Sequence, residues 1–383
     1  MTGGGDVPPL NGAIAAARDA SIRNGVDLVG FERGWQGVLE GKTVDLSRAT
    51  FDPQTGGTVL RSSRVNLVAI PGAPEEAAGN LRRLGVSGLI VIGGEDTLSN
   101  AAALEDVPLA LISKTIDNDV GEIRTSTGRK PALEFVNYFT LGYPTAARKI
   151  ASFVSMNEGL RTTAYSHERL IVVESMGMHA GWLALSSSMG RPDFIIVPEF
   201  GLDYGRFLEK AAERYRKQKH LIVVVAEGAR WKDGSYLSAD ASEHDDFGHP
   251  RFKGSADLLA RRMKEDLKSN FDTRNVNSVN PSYLYRSGAP CSLDLAVARK
   301  LGARAAAWLA GRCEGHTFLA VRKTATGFGV TKIPLPGAKS IKSFYRTLDE
   351  RLYSSETYSA TDEARRYLSA IVPETKPKAY ELN

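Results

Sequence analysis

Ser87–Asp119 reads SGLIVIGGEDTLSNAAALEDVPLALISKTIDND, and this stretch decides the fold. It contains two apolar runs of strand length, Ser87–Ile92 and Pro108–Ile112, separated by the helical pattern Leu98–Leu104. Both runs are continuous rather than alternating, which is typical of strands covered on both faces of a parallel sheet. The stretch therefore predicts a strand–helix–strand unit.

The same alternation continues on both sides of this stretch. Three more apolar runs are Leu170–Val173, Phe194–Val197 and Leu221–Val225. Three more helical patterns are Glu75–Leu84, Thr145–Ser155 and Tyr204–Lys217. Repeated alternation of this kind predicts an α/β protein with a doubly wound architecture.

Composition is that of an ordinary globular protein, with 42% hydrophobic and 24% charged residues and a formal net charge of +5. No apolar run approaches membrane-spanning length, and MTGGGDVPPLNGAI at the start lacks the pattern of a secretory signal. Basic and acidic residues alternate, which argues against nucleic-acid binding. Two cysteines, Cys291 and Cys313, fit a reducing compartment. We therefore expect a cytoplasmic protein that binds neither membranes nor nucleic acid.

Glycine or charged residues follow each apolar run. The segments that follow are GGEDT at 93–97, SKTIDND at 113–119, ESMG at 174–177, PE at 198–199 and AEG at 226–228. In open parallel sheets, ligands bind outside the carboxyl ends of the strands. The sequence therefore predicts a site formed by these segments.

KTIDND is the most informative of these segments, because Lys114, Asp117 and Asp119 place a cation and two carboxylates within six residues. A carboxylate accepts the proton of an attacking hydroxyl, and a lysine neutralises charge on a transferred phosphoryl group. An exposed surface loop also carries such residues. The apolar run before the segment favours the partly buried rim of a site.

Two glycine-rich segments, Gly3–Asp6 and Gly93–Gly94, allow backbone N–H groups to approach an anion, although such glycines also simply form turns. Glu95 and Asp96 follow the second segment. Carboxylates there either hold Mg²⁺ or cap a helix. The Walker motif and the dinucleotide fingerprint are both absent from the sequence.

Seven segments, in this order, resemble the signatures of the phosphofructokinase family: GGGDVPPLNGAI from residue 3, GGTVLRSSR from 56, GGEDT from 93, KTIDND from 114, SHERLIVVESMGMHAGW from 166, IVPE from 196 and NPSYLYRSGAP from 280. The resemblance spans residues 3–310. It implies two similar doubly wound, three-layer α/β domains, one for the phosphoryl donor and one for a sugar phosphate. It also implies a homodimer or homotetramer whose active sites are completed across a subunit interface.

The resemblance suggests domain limits as well. The donor domain is expected at residues 1–140, completed by about 285–335. The sugar-phosphate domain is expected at 141–284, and a helical extension at 336–383.

Roles follow for the matching residues. Asp117 falls on the catalytic base, with Lys114, Asp96 and Asp119 beside it. Arg169 matches an arginine that family members lend to the neighbouring subunit. The implied donor-binding residues are Gly4, Gly5, Arg64 and Gly94; the implied Mg²⁺ ligand is Glu95; the implied substrate-binding residues are Thr115, Ile116, Asp117, Arg169, Met176, Gly177, Met178, Glu199, Tyr283 and Arg286.

Two positions bear on the choice of donor. Members that use ATP usually carry glycine where this chain has Asp96, because the nucleotide's α-phosphate passes there. Bacterial members that use ATP often carry glycine at the position of Lys114. Both residues therefore favour pyrophosphate, with fructose 6-phosphate as the acceptor.

The chain departs from the family pattern at four places. Only Met1 and Thr2 precede GGGD, so either the start is misplaced or the sheet lacks its first strand. Pro9 and Met178 replace a glycine and an arginine. Asn277 stands where a basic residue usually contacts the sugar's 6-phosphate, for which Arg274 is a nearby substitute. Two alternatives therefore stay open: a different donor or sugar phosphate, and a non-catalytic regulatory subunit.

Overall fold

The computed structural model describes residues 1–127, 132–244, 250–252, 254–268, 275–311, 314–335 and 344–375. The chain folds as two units. Unit 1 comprises residues 1–145 and 286–346, and unit 2 comprises residues 146–285 with the described part of 347–383. Among the described residues, no helix has both the length and the apolar character that crossing a membrane requires.

The helices, in chain order, are α1 Leu10–Arg23, α2 Trp35–Glu40, α3 Ala73–Arg83, α4 Glu95–Ala101, α5 Tyr143–Val154, α6 Arg161–Ser166, α7 Trp182–Ser186, α8 Tyr204–Gln218, α9 Ser255–Asp266, α10 Ser292–Ala310 and α11 Asp362–Ser369. The strands are β1 Val29–Phe31, β2 Thr43–Asp45, β3 Leu89–Gly93, β4 Leu109–Thr115, β5 Ile123–Thr125, β6 Leu133–Phe135, β7 Leu141–Gly142, β8 Leu170–Ser175, β9 Phe194–Ile196, β10 Leu221–Ala226, β11 Ala239–His244, β12 Pro250–Phe252, β13 Val276–Val279, β14 His316–Thr324, β15 Gly327–Leu335, β16 Tyr353–Ser354 and β17 Ser359–Ala360.

The main sheet of unit 1 has the strand order β15-β14-β4-β3, and β7 pairs with the end of β4. Strands β3, β4 and β14 are parallel, whereas β15 runs antiparallel to β14. All five residues of β3 and the first six of β4 are buried. The apolar runs predict this burial as far as Ile92 and Ile112. The predicted α/β class with parallel sheets is therefore confirmed.

Strand β4 is longer than its apolar run. The run ends at Ile112, but the strand continues through Lys114 and Thr115. Lys114 and Thr115 stay in the ladder because β7 adds there as a parallel partner, with Lys114 opposite Leu141.

The first residues of the chain extend this sheet. Thr2 forms a parallel bridge with Ile92 of β3, and Gly3 N donates to Ile92 O at 3.0 Å. The segment before the glycines thus pairs with β3 where the family pattern predicts a strand. Pro9 is accommodated at the N-cap of α1, where its φ is −89° and the missing N–H has no intrahelical partner in any case.

Unit 2 is built on a second sheet, with the strand order β13-β8-β10-β9. All three pairings are parallel, so the carboxyl ends of the four strands lie at one edge. Strands β8, β9 and β10 are completely buried. Phe207 and Ala211 of α8 and Leu259 of α9 are buried in the core of this unit.

Helices α1 and α10 of unit 1 pack closely, and Gly302 makes this possible. A Cβ at Gly302 would lie 2.0 Å from the carbonyl oxygen of Ala13. Gly79 in α3 offers the opposite case, because nothing lies within 4 Å of a Cβ built there.

We therefore expect Gly302→Ala to lower the free energy of unfolding by about 2 kcal/mol, because the helices must separate to admit the methyl group. Gly79→Ala, the matched control, should raise it by about 0.5–1 kcal/mol through helix propensity. Urea unfolding of the two variants measures both effects. Equal behaviour of the two variants would contradict the packing role of Gly302.

Candidate active site

Lys114 lies at the carboxyl end of β4, and its side chain contacts the glycine segment that follows Thr2. The residue is 2% exposed, and its Nζ donates a hydrogen bond to the carbonyl oxygen of Gly5. Gly4 has φ +75°, and a Cβ there would lie 3.3 Å from Lys114 Nζ. The glycines thus leave room for a buried ammonium group beside partly exposed backbone groups.

A cleft of about 440 Å³ opens beside this segment, and we call it the arginine cleft. Its lining carries three arginines and one carboxylate, with glycines and hydroxyl groups between them. The lining residues are Gly4, Gly5, Asp6, Gly57, Thr58, Arg61, Ser62, Ser63, Arg64 and Arg286. Guanidinium groups and backbone N–H groups are donors that bind phosphate oxygens. The cleft therefore suits a small, multiply charged anion.

The electrostatic environment of Lys114 follows from this arrangement. Burial lowers the pKa of Lys114 to about 8, and the positive charges of Arg286 and Arg64 act in the same direction. Asp6 and Asp119 oppose this shift. An anion bound in the cleft would favour the charged form of the lysine. Lys114 is thus placed to respond to the charge of a ligand.

The segment 117–121 after β4, which we call the Asn118 turn, is held by one buried arginine. Asn118 has φ +55° and is completely buried. Arg346 donates from Nε to the carbonyl oxygen of Asn118 at 2.9 Å and from Nη2 to its Oδ1 at 2.7 Å. Its Nη1 donates to Asn137 O at 2.7 Å, and its backbone N–H donates to Asp119 O at 2.7 Å. The arginine therefore fixes both sides of the turn.

Carboxylates converge around the Asn118 turn. Oδ1 of Asp119 is buried and accepts no hydrogen bond from the described residues. Burial raises the pKa of Asp119, and the negative charges of Asp117 and Glu95 raise it further, whereas Arg346 lowers it. The backbone N–H of Asp117 donates to Thr115 Oγ1 at 3.1 Å. The structure thus brings the predicted residues Asp117, Asp119 and Glu95 into one electrostatic group.

Helix α4 starts at this group. Gly94 is its N-cap residue, and Glu95 and Asp96 form its acidic first turn. Glu95 is exposed and accepts from Ser99 Oγ at 2.9 Å, so part of its carboxylate remains accessible. Asp96 is partly exposed, and its carbonyl oxygen accepts from Asn100 Nδ2 at 2.7 Å. Capping and ligand binding are compatible in this geometry.

Ile116 differs from its neighbours because its side chain belongs to the core. It is 5% exposed, so its backbone is the part able to contact a ligand. The carbonyl oxygen of Thr115 accepts from Thr140 Oγ1 at 2.6 Å, which anchors the end of β4.

In unit 2, the carboxyl edge of the second sheet brings another group of predicted residues together. Gly177 has φ +128°, and its N–H donates to Glu227 Oε1 at 3.0 Å. Oε1 of Glu199 accepts from Gly181 N at 2.9 Å, whereas its buried Oε2 accepts no hydrogen bond from the part of the chain that the structure describes. Burial raises the pKa of Glu199. Met176 and Met178 flank Gly177 and are partly exposed.

Arg169 lies apart from that group. Arg169 precedes β8, whereas Met176 follows it, so the two residues are at opposite ends of a six-residue strand. At about 3.3 Å per residue, the strand separates them by roughly 20 Å. Tyr283 is 64% exposed. The side chains of Arg169 and Met176 therefore cannot share one small ligand within a single copy of the chain.

Asn277 lines a different cleft, of about 530 Å³, between α9 and β13. Arg261 and Lys264 of α9 line the same cleft, so two cations lie near the position where the sequence lacks one. Arg274, the substitute considered from the sequence, lies outside the described residues.

The structural positions of two residues of unit 1, Arg346 and Arg61, could not be predicted from the sequence. Arg346 lies 228 positions from Asn118, in a segment without any motif. Arg61 lies inside the GGTVLRSSR segment, but the sequence indicates neither its place in the arginine cleft nor its φ of +57°.

We expect Arg346→Met to lower the free energy of unfolding by about 3 kcal/mol, because Asn118 and Asn137 would retain buried acceptors without donors. Arg322→Met, at an exposed position of β14, should change it by no more than about 0.5 kcal/mol. Urea unfolding compares the two variants. Similar stabilities would show that the contacts of Arg346 do not hold the Asn118 turn.

Comparison with known proteins places this geometry in a family. The family model described as Phosphofructokinase matches residues 1–309. A pyrophosphate–fructose 6-phosphate 1-phosphotransferase of Streptomyces coelicolor is 37% identical over 80% of this chain and 84% of its own length. An ATP-dependent 6-phosphofructokinase 3 of the same organism is 35% identical over 79% and 84%.

Solved structures agree on the fold. A pyrophosphate-dependent phosphofructokinase from Nitrosospira multiformis superposes with a TM-score of 0.77, at 18% identity, over 99% of this chain and 93% of that chain. The resemblance stated from the seven motifs is thereby confirmed. The chain belongs to the phosphofructokinase family.

Proposed function

We propose that this phosphofructokinase transfers a phosphoryl group from pyrophosphate to the 1-hydroxyl of fructose 6-phosphate. The observation that carries the proposal is the contact of the buried Lys114 with the Gly4–Gly5 segment beside three arginines. Pyrophosphate is small and highly charged, and it suits a cleft rich in groups that bind phosphate. Relatives named for pyrophosphate support this choice, at 37% and 34% identity.

The proposed reaction forms a bond between the sugar's O1 and a phosphorus atom of pyrophosphate and breaks that atom's bond to the bridging oxygen. Asp117 takes the proton of the hydroxyl group as the base. Lys114, together with Arg64 and Arg286, neutralises the charge of the released phosphate. Thr115 and the backbone at Ile116 orient the acceptor, and Asp119 maintains the field around Asp117.

The sugar phosphate is assigned to the carboxyl edge of the second sheet. Glu199 has one buried carboxylate oxygen that accepts no hydrogen bond from the described residues, so it is available to a sugar hydroxyl. Gly177, held by Glu227, lets the backbone approach a ligand closely. Met176 and Met178 provide the apolar wall. Tyr283 is exposed, and Arg169 is remote from this edge in one copy of the chain. Both positions favour a role at an interface with a second copy.

Mg²⁺ fits the carboxylates near the Asn118 turn. Glu95 is exposed at the start of α4, and Asp119 has a buried oxygen that accepts no hydrogen bond within the described ranges, so both are hard donors of the kind Mg²⁺ prefers. In the described part of the chain, no three His, Cys, Asp or Glu side chains could hold a metal by themselves. We propose that Glu95 and Asp119 would hold the ion, which would supply positive charge beside the phosphoryl donor.

ATP is the second candidate donor, because ATP-dependent relatives match at 35% identity, nearly as well as the pyrophosphate-dependent ones. Asp96 argues against it, because a partly exposed carboxylate at the first turn of α4 repels an additional phosphate. A cytoplasmic homodimer or homotetramer remains our expectation for the assembly.

The test of the donor is an assay of the purified protein with Mg²⁺ and fructose 6-phosphate, supplied with pyrophosphate or with ATP. We expect turnover with pyrophosphate, and Asp117→Asn should reduce it by at least about 10³-fold, because the base is lost. Asp96→Gly should improve the ratio of ATP to pyrophosphate use. Turnover with ATP alone would overturn the proposed donor, and activity of Asp117→Asn near that of the wild type would overturn the proposed base.

The pH dependence tests Lys114. Its pKa is lowered to about 8 in the free protein, so the lysine is cationic below that pH and loses its proton above it. We therefore expect kcat/KM for pyrophosphate to fall as the pH rises above about 8. Lys114→Arg should have a lower maximum but no such decline, because arginine stays charged. Pyrophosphate ionises identically in both measurements, so an unchanged decline would refute the role of Lys114.

A further inference from the structure

Arg61 adopts a backbone conformation that a side chain disfavours. Its φ is +57°, in the left-handed region where glycine is the usual residue. The surrounding hydrogen bonds impose this conformation: Arg61 N donates to Thr58 O at 3.1 Å, and Thr2 Oγ1 donates to Arg61 O at 3.0 Å. Neither bond involves the arginine side chain, so glycine would meet the same backbone requirement with less strain.

Packing does not explain the arginine either. The side chain is 65% exposed, and its ion pair joins Nη1 to Glu32 Oε1 at 3.5 Å. An exposed pair of this kind contributes little to stability. Glu32 also pairs with Lys42 at 3.4 Å, so it has a cation without Arg61. A strained residue with little structural benefit is typical of a functional position.

The location of Arg61 indicates what its side chain does. The residue lines the arginine cleft together with Arg64 and Arg286, and Asp6 is the one acidic residue in the described lining. Arg286 is drawn toward Asp6, with 3.5 Å between Nε and Oδ1, whereas Arg61 lies on the exposed rim. Arg61 is thus the third arginine of a lining that has one carboxylate.

We propose that Arg61 is a further pyrophosphate-binding residue, which contacts the anion at the rim of the arginine cleft while Lys114 contacts it at the buried end. This inference rests on the proposed pyrophosphate donor. The positive charge of three arginines in the lining favours an anion with no neutral portion. Donor binding thus accounts for an arginine at a backbone position that favours glycine.

The experiment compares Arg61→Gly with the wild type and with Arg33→Gly. Arg33 is a matched control: it has φ +58°, it is exposed, its carbonyl oxygen accepts from Ser63 Oγ, and it lies outside the described lining of the cleft. Both variants should melt at or above the wild-type temperature, because glycine relieves the strain. Arg61→Gly alone should raise KM for pyrophosphate about tenfold, as expected for the loss of one charge-assisted contact. KM for fructose 6-phosphate should stay unchanged.

Titration with pyrophosphate and Mg²⁺ in the absence of sugar gives the same comparison without catalysis. Arg61→Lys should fall between the wild type and Arg61→Gly. If the wild type uses pyrophosphate and Arg61→Gly has the same KM as Arg33→Gly, the role of Arg61 is overturned and the proposed donor stands. If the wild type neither binds nor uses pyrophosphate, the proposed donor fails and the role of Arg61 fails with it.

Discussion

The hydrogen bonds that Arg346 donates to the Asn118 turn are the interaction on which the rest of the candidate site depends. A buried, left-handed asparagine leaves backbone and side-chain acceptors that need donors. The guanidinium group of Arg346 donates to both, and the N–H of Thr140 donates to the side-chain oxygen as well. The cost of burying that cation is offset by the hydrogen bonds it donates and by its attraction to Asp119. Asp117 and Asp119 can stay close together because the backbone between them has no freedom to separate them.

The charged side chains of unit 1 form two groups of opposite sign. Carboxylates gather at the Asn118 turn, while Lys114 and the arginines gather at the glycine segment. Strand β4 and its continuation carry members of both groups, Lys114 at its end and Asp117 just beyond. The sheet thus fixes the spacing between the proposed base and the proposed anion site. Phosphoryl transfer depends on such spacing more than on covalent chemistry by the protein.

A structural feature is predictable where its signal lies within a few consecutive residues. The buried parallel strands are predicted by their apolar runs, whereas the assignment of the site to the glycines and carboxylates that follow them stays a prediction. The continuation of β4 through Lys114 lies beyond the apolar run, because a lysine seldom continues a buried strand. Here the pairing with β7 and the carbonyl oxygen of Gly5 make it possible. Arg346 is not predictable, because a donor 228 positions away leaves no local pattern. Arg61 lies in a motif without standing out there, because backbone strain depends on φ and not on residue type. The domain limits and residue roles remain predictions.

The distance along the chain between Asn118 and Arg346 has a consequence for biosynthesis. Unit 1 is assembled from residues 1–145 and 286–346, so its two parts leave the ribosome at different times. The 228 positions that separate the turn from its arginine correspond to roughly 10–45 s of translation. During that interval the nascent chain already contains Lys114, Asp117 and the glycine segment, but not the donor that fixes the turn. Until residue 346 has been synthesised, the nascent chain therefore lacks the donor that orders the Asn118 turn.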